Sequence, residues 1–182
     1  MKLAPLPPLI KQILADLNAP PRLMTHLTLV HDVACRLLDL LSPEWPGLDF
    51  DRKAVLVGAA SHDIGKLLVP SELSGPGKKH EEVGPALLIS HGLSPEQARF
   101  ARTHASWYEE GTALEDRLVA FADTIWKGKR DQALEESLTG WLARSSGEKE
   151  WLTFLKLDQV ALELAGKADE RLSWQASFPL PL

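Results

Sequence analysis

Apolar residues recur along most of the chain at the alternating three- and four-residue steps of an amphipathic helix. The clearest stripe lies within residues 21–41 and consists of Leu23, Leu27, Val30, Ala34, Leu37 and Leu41. Steps of this size place side chains on one face of a helix, whereas a half-buried strand alternates apolar and polar residues. Strand signals are nearly absent from the sequence. The pattern therefore predicts an all-α fold, a helical bundle.

Proline, glycine and capping residues divide this pattern into helices. Ser94-Pro95-Glu96-Gln97 is a typical helix start, with serine as the N-cap and proline in the first turn. Asp49 or Asp51 is placed to cap the third helix. Ser42-Pro43 predicts the end of the second helix, and residues 68–79, rich in proline and glycine, predict a loop. We predict helices over residues 9–17, 21–41, 52–62, 80–91, 95–104, 113–127, 131–143 and 148–172, with the tail 177–182 over the surface.

Length and composition predict one domain. The 182 residues are 45% hydrophobic and 25% charged, as in an ordinary globular protein, and no repeat or shift of composition marks a second unit. We expect a single domain over residues 1–182, with its core at about 20–130 and the helices of 131–172 packed on it. A homodimer contact is possible through apolar residues of the C-terminal helices, Trp151, Leu155, Leu162 and Leu164.

Charge and hydropathy restrict the possible partners and the compartment. The net charge of −5 gives no general attraction to nucleic acid or to an anionic membrane. No segment approaches 18 apolar residues without a charge, and Met1 to Ile10 holds no apolar stretch of signal-peptide length. Cys35 is the single cysteine, and its apolar setting predicts core packing rather than a nucleophile. We expect a cytoplasmic protein without a membrane or nucleic-acid partner.

The stretch from Ala54 to Lys66 carries the strongest chemical signal. Its small and apolar residues lead directly into His62-Asp63, followed by Ile64-Gly65-Lys66. An imidazole and a carboxylate are costly to bury without a partner, and both are ligands of divalent first-row metals. Asp123 similarly interrupts an apolar run. We predict that His62, Asp63 and Asp123 bind a metal ion.

Other histidines lie at the edges of predicted helices. His26 is flush with the apolar stripe of the second helix, and His31 is at the other edge of the same stripe. The two are separated by about 140° around the helix, so only one is expected to face the site. His80 opens the fourth predicted helix and His104 closes the fifth, which makes both candidate ligands. His91, before a glycine, is expected to interact with its helix end.

These residues together resemble a known family. The order His26, His62-Asp63, Asp123 resembles the H…HD…D pattern of the HD-domain superfamily of metal-dependent phosphohydrolases. His26 precedes a valine by four residues, as in the first helix of that family, and the segment ending at Lys66 resembles its HD-x-x-K signature. The resemblance covers about residues 20–130.

The resemblance also implies a binuclear site. His80 and His104 look like the two additional histidines of the binuclear branch, which includes the cyclic-dinucleotide phosphodiesterases. The chain departs from that subgroup because it has no Gly-Tyr-Pro near His104, where Ala105-Ser106-Trp107-Tyr108 stands, and because it has one histidine there rather than a pair. The implied cofactor is two divalent ions, and histidine with carboxylate ligands suits Mn, Fe, Ni, Co or Zn. The implied ligands are His26, His62, Asp63 and Asp123 for one ion, and Asp63, His80 and His104 for the other.

The implied reaction is hydrolysis of a phosphate ester, by a phosphomonoesterase or phosphodiesterase acting on a nucleotide or another small phosphorylated substrate. Asp63 and Lys66 would be catalytic, with Lys66 stabilising charge on the phosphoryl group. Lys66, Trp107 and Lys127 are the expected substrate contacts, and Trp126 is a second candidate for the pocket wall.

Two alternatives stay open. The same scaffold in some binuclear members supports oxygenase chemistry at a di-iron site. The other alternative is a regulatory module that binds a metal or a nucleotide without turnover.

Overall fold

The computed structural model describes residues 1–179, and all of the regular structure in that range is helical. The all-α prediction is therefore confirmed. Single 3₁₀ turns occupy Ile64–Leu67 and Pro70–Leu73. The α-helices are α1 (Pro8–Asp16), α2 (Pro21–Glu44), α3 (Arg52–Ser61), α4 (Lys79–Ser90), α5 (Pro95–Ala98), α6 (Phe100–Thr103), α7 (Leu114–Ile125), α8 (Gln132–Ser146), α9 (Glu150–Ala165) and α10 (Ala168–Ala176).

The long helix α2 is the element on which the others are arranged. It packs against α3, α7, α9 and α10, and its stripe from Leu23 to Leu41 is buried. The C-terminal half of this stripe belongs to one core cluster with apolar residues of α7, α8 and α9, whereas Leu23 and Leu27 belong to a second cluster with apolar residues of α1 and of the segment from α3 to α6. Burial of each leucine of this kind stabilises the fold by about 1.5–3 kcal/mol. The apolar periodicity therefore determines which face of each helix is buried.

Capping residues place several helix starts where the sequence predicts them. The Asp51 carboxylate accepts a hydrogen bond from the backbone N–H of Ala54, and the Asp131 carboxylate accepts one from that of Leu134. The Ser94 hydroxyl and the Gln97 side chain form a reciprocal capping box. These bonds satisfy N–H groups that the first turn of a helix leaves unpaired.

The helices differ from the predictions in several places. Helix α2 continues through Pro43 to Glu44, because a proline in the last turn removes only one N–H···O bond. The single helix predicted over 148–172 is two helices, α9 and α10, separated at Gly166-Lys167, and the one predicted over 95–104 is interrupted at Arg99. The predicted loop of residues 68–79 contains a 3₁₀ turn.

Two glycines allow α4 to approach its neighbours, the 3₁₀ turn Ile64–Leu67 and helix α6. A Cβ atom at Gly65 would lie 2.1 Å from the carbonyl oxygen of His80, and one at Gly84 would lie 2.8 Å from the Ala101 Cβ atom. Real Cβ atoms essentially never approach other heavy atoms within 3.0 Å. Glycine is therefore required at Gly65, where the backbones of the two segments touch.

The C-terminal helices differ in part from the surface that was predicted for them. Trp151, Leu155 and Leu162 are exposed, but Leu164 is 3% exposed and packs in the core, which corrects its assignment to the outer face. Beyond α10, the carbonyl of Phe178 accepts a hydrogen bond from Arg22. The predicted position of the tail concerns in part residues 180–182, which lie outside the described residues. Within residues 1–179, no helix is long and apolar enough to cross a membrane.

Candidate metal centre

Six histidine and aspartate side chains from five parts of the fold converge on one site. Each lies at or near a helix end, where the side chain can leave the packed interface. They are His26 near the start of α2, His62 at the end of α3, Asp63 directly after it, His80 in the first turn of α4, His104 at the end of α6 and Asp123 in the last turn of α7.

The first group of ligand atoms is His26, His62 and Asp123. The Nε2 atoms of His26 and His62 are 3.2 Å apart. The Oδ1 atom of Asp123 lies 3.4 Å from the first of these nitrogens and 3.2 Å from the second. Three donor atoms from α2, α3 and α7 thus surround one small space.

The second group is Asp63, His80 and His104. The Oδ1 atom of Asp63 lies 3.1 Å from Nε2 of His80 and 3.7 Å from Nε2 of His104. Its other oxygen, Oδ2, faces the first group and lies 3.1 Å from Nε2 of His26. The single Asp63 carboxylate therefore stands between the two groups, with one oxygen toward each.

Hydrogen bonds at the Nδ1 atoms determine which nitrogen of each imidazole is available. Nδ1 of His62 lies 3.0 Å from the carbonyl oxygen of Ala59, and Nδ1 of His104 lies 3.1 Å from that of Phe100. A carbonyl oxygen only accepts, so in both rings Nδ1 carries the hydrogen and donates it. In the neutral rings the lone pair is then on Nε2, which points into the site. This is the tautomer that a metal ligand requires.

A family model described as HD domain matches residues 10–125, which is more than half of the chain. The chain belongs to the HD-domain family. That family consists mostly of metal-dependent phosphohydrolases. Comparison with curated proteins and with solved structures found no match.

The donor set of this HD domain fits divalent ions of the first transition row. Imidazole nitrogens and carboxylate oxygens, without a thiolate, suit Mn, Fe, Co, Ni and Zn. Nε2 of His26 and Nε2 of His62 lie 3.2 Å apart, and a carboxylate oxygen of Asp63 or Asp123 lies within 3.4 Å of each. The two imidazole nitrogens and the two carboxylates are thus close enough to share one cation.

Burial and neighbouring charges set the protonation of these groups. Burial alone would raise the pKa of the Asp63 carboxyl, but the charge of His62 and hydrogen bonds from His26 and His80 lower that pKa well below its usual range. The pKa of Asp123 is also lowered, because His62 and His26 outweigh the effect of its burial. Burial and the proximity of His62 lower the pKa of His104 to about 4. Ionised carboxylates and a neutral imidazole are the forms that bind metals.

Glu72 is a buried residue of the site that the sequence reasoning missed. Its Oε2 atom accepts a hydrogen bond of 2.6 Å from Nδ1 of His80, and its two oxygens accept the backbone N–H groups of Lys79 and His80. Gly77 leaves the room that this carboxylate occupies, since a Cβ atom there would overlap it. Carboxylate–histidine pairs of this kind orient metal ligands. The sequence holds no signal for it, because Glu72 lies in a segment without periodicity.

Asp116 also supports the site from outside the ligand groups. It is 1% exposed and accepts hydrogen bonds from the Thr103 hydroxyl and from Nε of Arg99. It thereby attaches the segment that carries His104 to the start of α7. Its Oδ2 atom also accepts a hydrogen bond from the backbone N–H of Ala113, which caps the start of α7.

An open cavity of about 670 Å³ gives access to both groups. Lys66, Trp107 and Lys127, the predicted substrate contacts, all line it. Lys66 lies on the wall of the site, with Nζ 2.5 Å from Oδ2 of Asp63. Arg22 and Lys129, which were not among the predicted substrate contacts, line the same cavity.

Four other residues weighed from the sequence lie away from this cavity. His31 is buried on the opposite side of the α2 stripe, with Nε2 3.8 Å from the Cys35 sulfur. Burial, the largest cause, raises the pKa of the Cys35 thiol to about 11, which agrees with a packing role. Nδ1 of His91 lies 2.9 Å from the carbonyl of Leu87, at the end of α4. Trp126 is buried against the His26 ring in the core and does not line the cavity, so its suggested wall position is wrong.

Proposed function

We propose that this protein is a metal-dependent phosphohydrolase, a phosphomonoesterase or phosphodiesterase, that acts on a nucleotide or another small phosphate ester. The observation that carries the proposal is the position of the Asp63 carboxylate between two groups of ligand atoms, one oxygen toward each. A carboxylate with this orientation is suited to bridge two ions. The family of the chain supports the same chemistry.

The two groups divide the ligands between two sites. One would hold an ion with His26, His62, Asp63 and Asp123, and the other with Asp63, His80 and His104. Two ions at such a site supply a water of lowered pKa and neutralise charge on the attacking and leaving oxygens of phosphoryl transfer.

The remaining residues of the cavity have roles that follow from their positions. Lys66 is 23% exposed and projects from the Asp63 oxygen toward the cavity, so its ammonium group can bind a phosphoryl oxygen and stabilise negative charge there. Trp107 offers a flat apolar face for the non-phosphate part of the substrate. Lys127, at the end of α7, adds positive charge where the substrate enters.

The experiment that tests this function compares Asp63→Ala with the exposed control Asp49→Ala. The Asp63 variant loses one oxygen from each ligand group, so we expect it to lose metal and phosphate release together. Asp49 has no contact with the site, and its variant should retain both. Metal content is measured by elemental analysis, and activity with a panel of nucleotides and phosphate esters with added Mn²⁺, Co²⁺ or Ni²⁺. An Asp63→Ala protein that is metal-free and still active would refute the proposal.

The complete ligand set favours turnover over a regulatory module, since loss of a ligand is the expected mark of a non-catalytic relative. Iron analysis with an optical test for a mixed-valent centre distinguishes hydrolysis from oxygenase chemistry. We expect no such optical signal in the active protein.

A further inference from the structure

We infer that the substrate carries at least two linked phosphoryl groups, and that a cluster formed by Arg22, Lys127 and Lys129 binds the group that is not being cleaved. The inference rests on the proposed phosphohydrolase function and assigns its substrate class, a phosphate ester with a di- or polyphosphate chain. All three side chains line the cavity that contains the ligand groups.

The first observation is that none of these three cations forms an ion pair with any carboxylate of residues 1–179. The neighbouring Arg130 instead forms salt bridges with Glu135 and Asp158, and Lys66 forms one with Asp63. Within residues 127–130, Arg130 is thus paired with carboxylates, whereas Lys127 and Lys129 have no such partner and line the cavity. Unpaired cations that share a cavity repel one another, and a polyanion relieves that repulsion.

The second observation is that the turn holding the two lysines is fixed by packing. Gly128 has a φ of 76°, in the left-handed region, and its N–H bonds to the carbonyl of Ile125. A Cβ atom at this glycine would lie 2.9 Å from the Ala168 Cβ atom at the start of α10. Close packing against α10 therefore holds the backbone on both sides of Gly128, and with it the starting points of the Lys127 and Lys129 side chains.

The third observation is that Arg22 is held from the C-terminal side of the fold. Its Nη1 atom donates a hydrogen bond of 3.2 Å to the carbonyl of Phe178, and Gln175 of α10 lines the same cavity. One end of the guanidinium is thereby anchored, whereas its other N–H donors remain for a ligand. Arginine donors in this planar arrangement match phosphate oxygens.

The positions along the helices place the cluster beside the first ligand group. Arg22 is four residues before His26 within α2, so the two lie on one face of that helix, about one turn or 5.4 Å apart along its axis. Lys127 and Lys129 lie in the turn after α7, which ends at Ile125, and they line the same cavity. Arg22 thus begins about one turn beyond the ligand His26, a distance suited to a phosphoryl group adjacent to the one held at the ligand groups.

The charges that line the cavity agree with this arrangement. Its carboxylates are largely engaged: Asp63 and Asp123 in the ligand groups, Glu72 with His80, and Asp131 as the cap of α8. Glu81, beside His80, is on the side of the second ligand group. Asp131 is the only one of these carboxylates that adjoins the cluster in sequence, so the three cations exceed the carboxylates on that side, and a monoester held at the ligand groups would leave the excess positive charge unused.

The test compares AMP, ADP and p-nitrophenyl phosphate as substrates of the metal-loaded full chain. The cluster variant is Arg22→Gln/Lys127→Gln/Lys129→Gln. The control is Lys11→Gln/Lys53→Gln/Lys149→Gln, which removes the same charge from exposed lysines that have no side-chain partner among the described residues and do not line the cavity. Thermal melting verifies that both variants are folded.

We expect the unmodified protein to prefer ADP over AMP in kcat/KM, and the cluster variant to lose this preference through an increase in the KM for ADP of about tenfold or more, as the loss of charge-assisted hydrogen bonds predicts. The kcat/KM for p-nitrophenyl phosphate should fall much less than that for ADP, since its single phosphoryl group binds at the ligand groups and loses only the general attraction of the removed charges. The control should retain the preference.

Two results would overturn the inference while leaving the hydrolase function intact. One is a preference for AMP over ADP in the unmodified protein, and the other is a preference for ADP that the cluster variant retains. The absence of hydrolysis of all three substrates and of a diester, bis(p-nitrophenyl) phosphate, would instead refute the proposed function itself.

Discussion

Replacement of Gly65 by alanine is expected to separate the second ligand group from the first. The added Cβ atom would lie 2.1 Å from the backbone oxygen of His80, against the 3.0 Å below which real Cβ contacts essentially never fall, so the two segments must separate by about 0.9 Å. The Cβ position is fixed by the backbone of residue 65 and its partner is a backbone oxygen, so a rotamer change cannot relieve the overlap. His80 is in the first turn of α4 and would move with it, away from Asp63.

The expected size of the effect follows from the precision that ligands require. Binding sites need ligand positions accurate to about 0.5 Å, so a displacement of this size should remove the second ion and leave the first. Overpacking of this kind costs about 1–3 kcal/mol of stability. Gly47→Ala is the matched control, because a Cβ atom there meets nothing within 4 Å.

Elemental analysis and a urea titration measure the two quantities for both variants. We expect Gly65→Ala to bind about half as much metal as the Gly47→Ala control, with a lower urea midpoint and strongly reduced hydrolysis. A Gly65→Ala protein with the metal content and activity of the control would show that the contact between the 3₁₀ turn and α4 does not determine the position of His80.

The remaining predictions concern the support of the site and the packing of the fold. Glu72→Gln should weaken binding of the second ion by about 10–100-fold in a metal titration, since the charged partner of His80 is lost, and unchanged affinity would exclude an orienting role. The raised pKa of Cys35, about 11, leaves about one thiol in a thousand ionised at pH 8, so alkylation should be slow in the folded chain and accelerate as the pH approaches 11. Equal alkylation rates in the folded and the urea-unfolded chain at pH 8 would contradict that pKa. Phe121→Ala, at a core position 1% exposed, should reduce the free energy of unfolding by about 3–5 kcal/mol in urea, whereas a loss below about 1 kcal/mol would mean that the site is poorly packed.

Local pattern was sufficient to predict where most of the helices lie and which face of α2 is buried. The spacing of the apolar residues on α2 identifies its buried face, since leucines at three- and four-residue steps lie together on one side of a helix. Caps such as Asp51 and Ser94 likewise act within one turn, so their residues are visible side by side in the sequence. The end of α2 was predicted too early because the effect of Pro43 depends on how many helical hydrogen bonds it disrupts. In the last turn of the helix it disrupts only one.

The candidate site was predictable to the extent that its residues interrupt such patterns. His62-Asp63 and Asp123 are polar residues at the ends of apolar runs, and the structure brings them together with His26. The choice between His26 and His31 needed the structure, because both border the same stripe and only packing shows which edge faces α3 and α7.

Residues that act across long separations in the chain left no local signal. Glu72 reaches His80 from a turn without periodicity, and Arg22 reaches Phe178 over most of the length of the chain. Trp126 was misassigned because it follows Asp123 by three residues, a step that suggests a shared face. Its ring instead packs beneath His26 in the core.

The most direct measurement is phosphate release before and after removal of metal from the purified protein. The chain is treated with a chelator, dialysed, and assayed with AMP, ADP and p-nitrophenyl phosphate, first without metal and then with Mn²⁺, Co²⁺ or Ni²⁺ restored. We expect hydrolysis to disappear with the metal and to return as two ions bind per chain. Hydrolysis at the same rate in the metal-free protein would mean that this site does not catalyse phosphate-ester hydrolysis as proposed. So would the absence of hydrolysis of these three substrates and of the diester bis(p-nitrophenyl) phosphate in a protein shown to hold two ions.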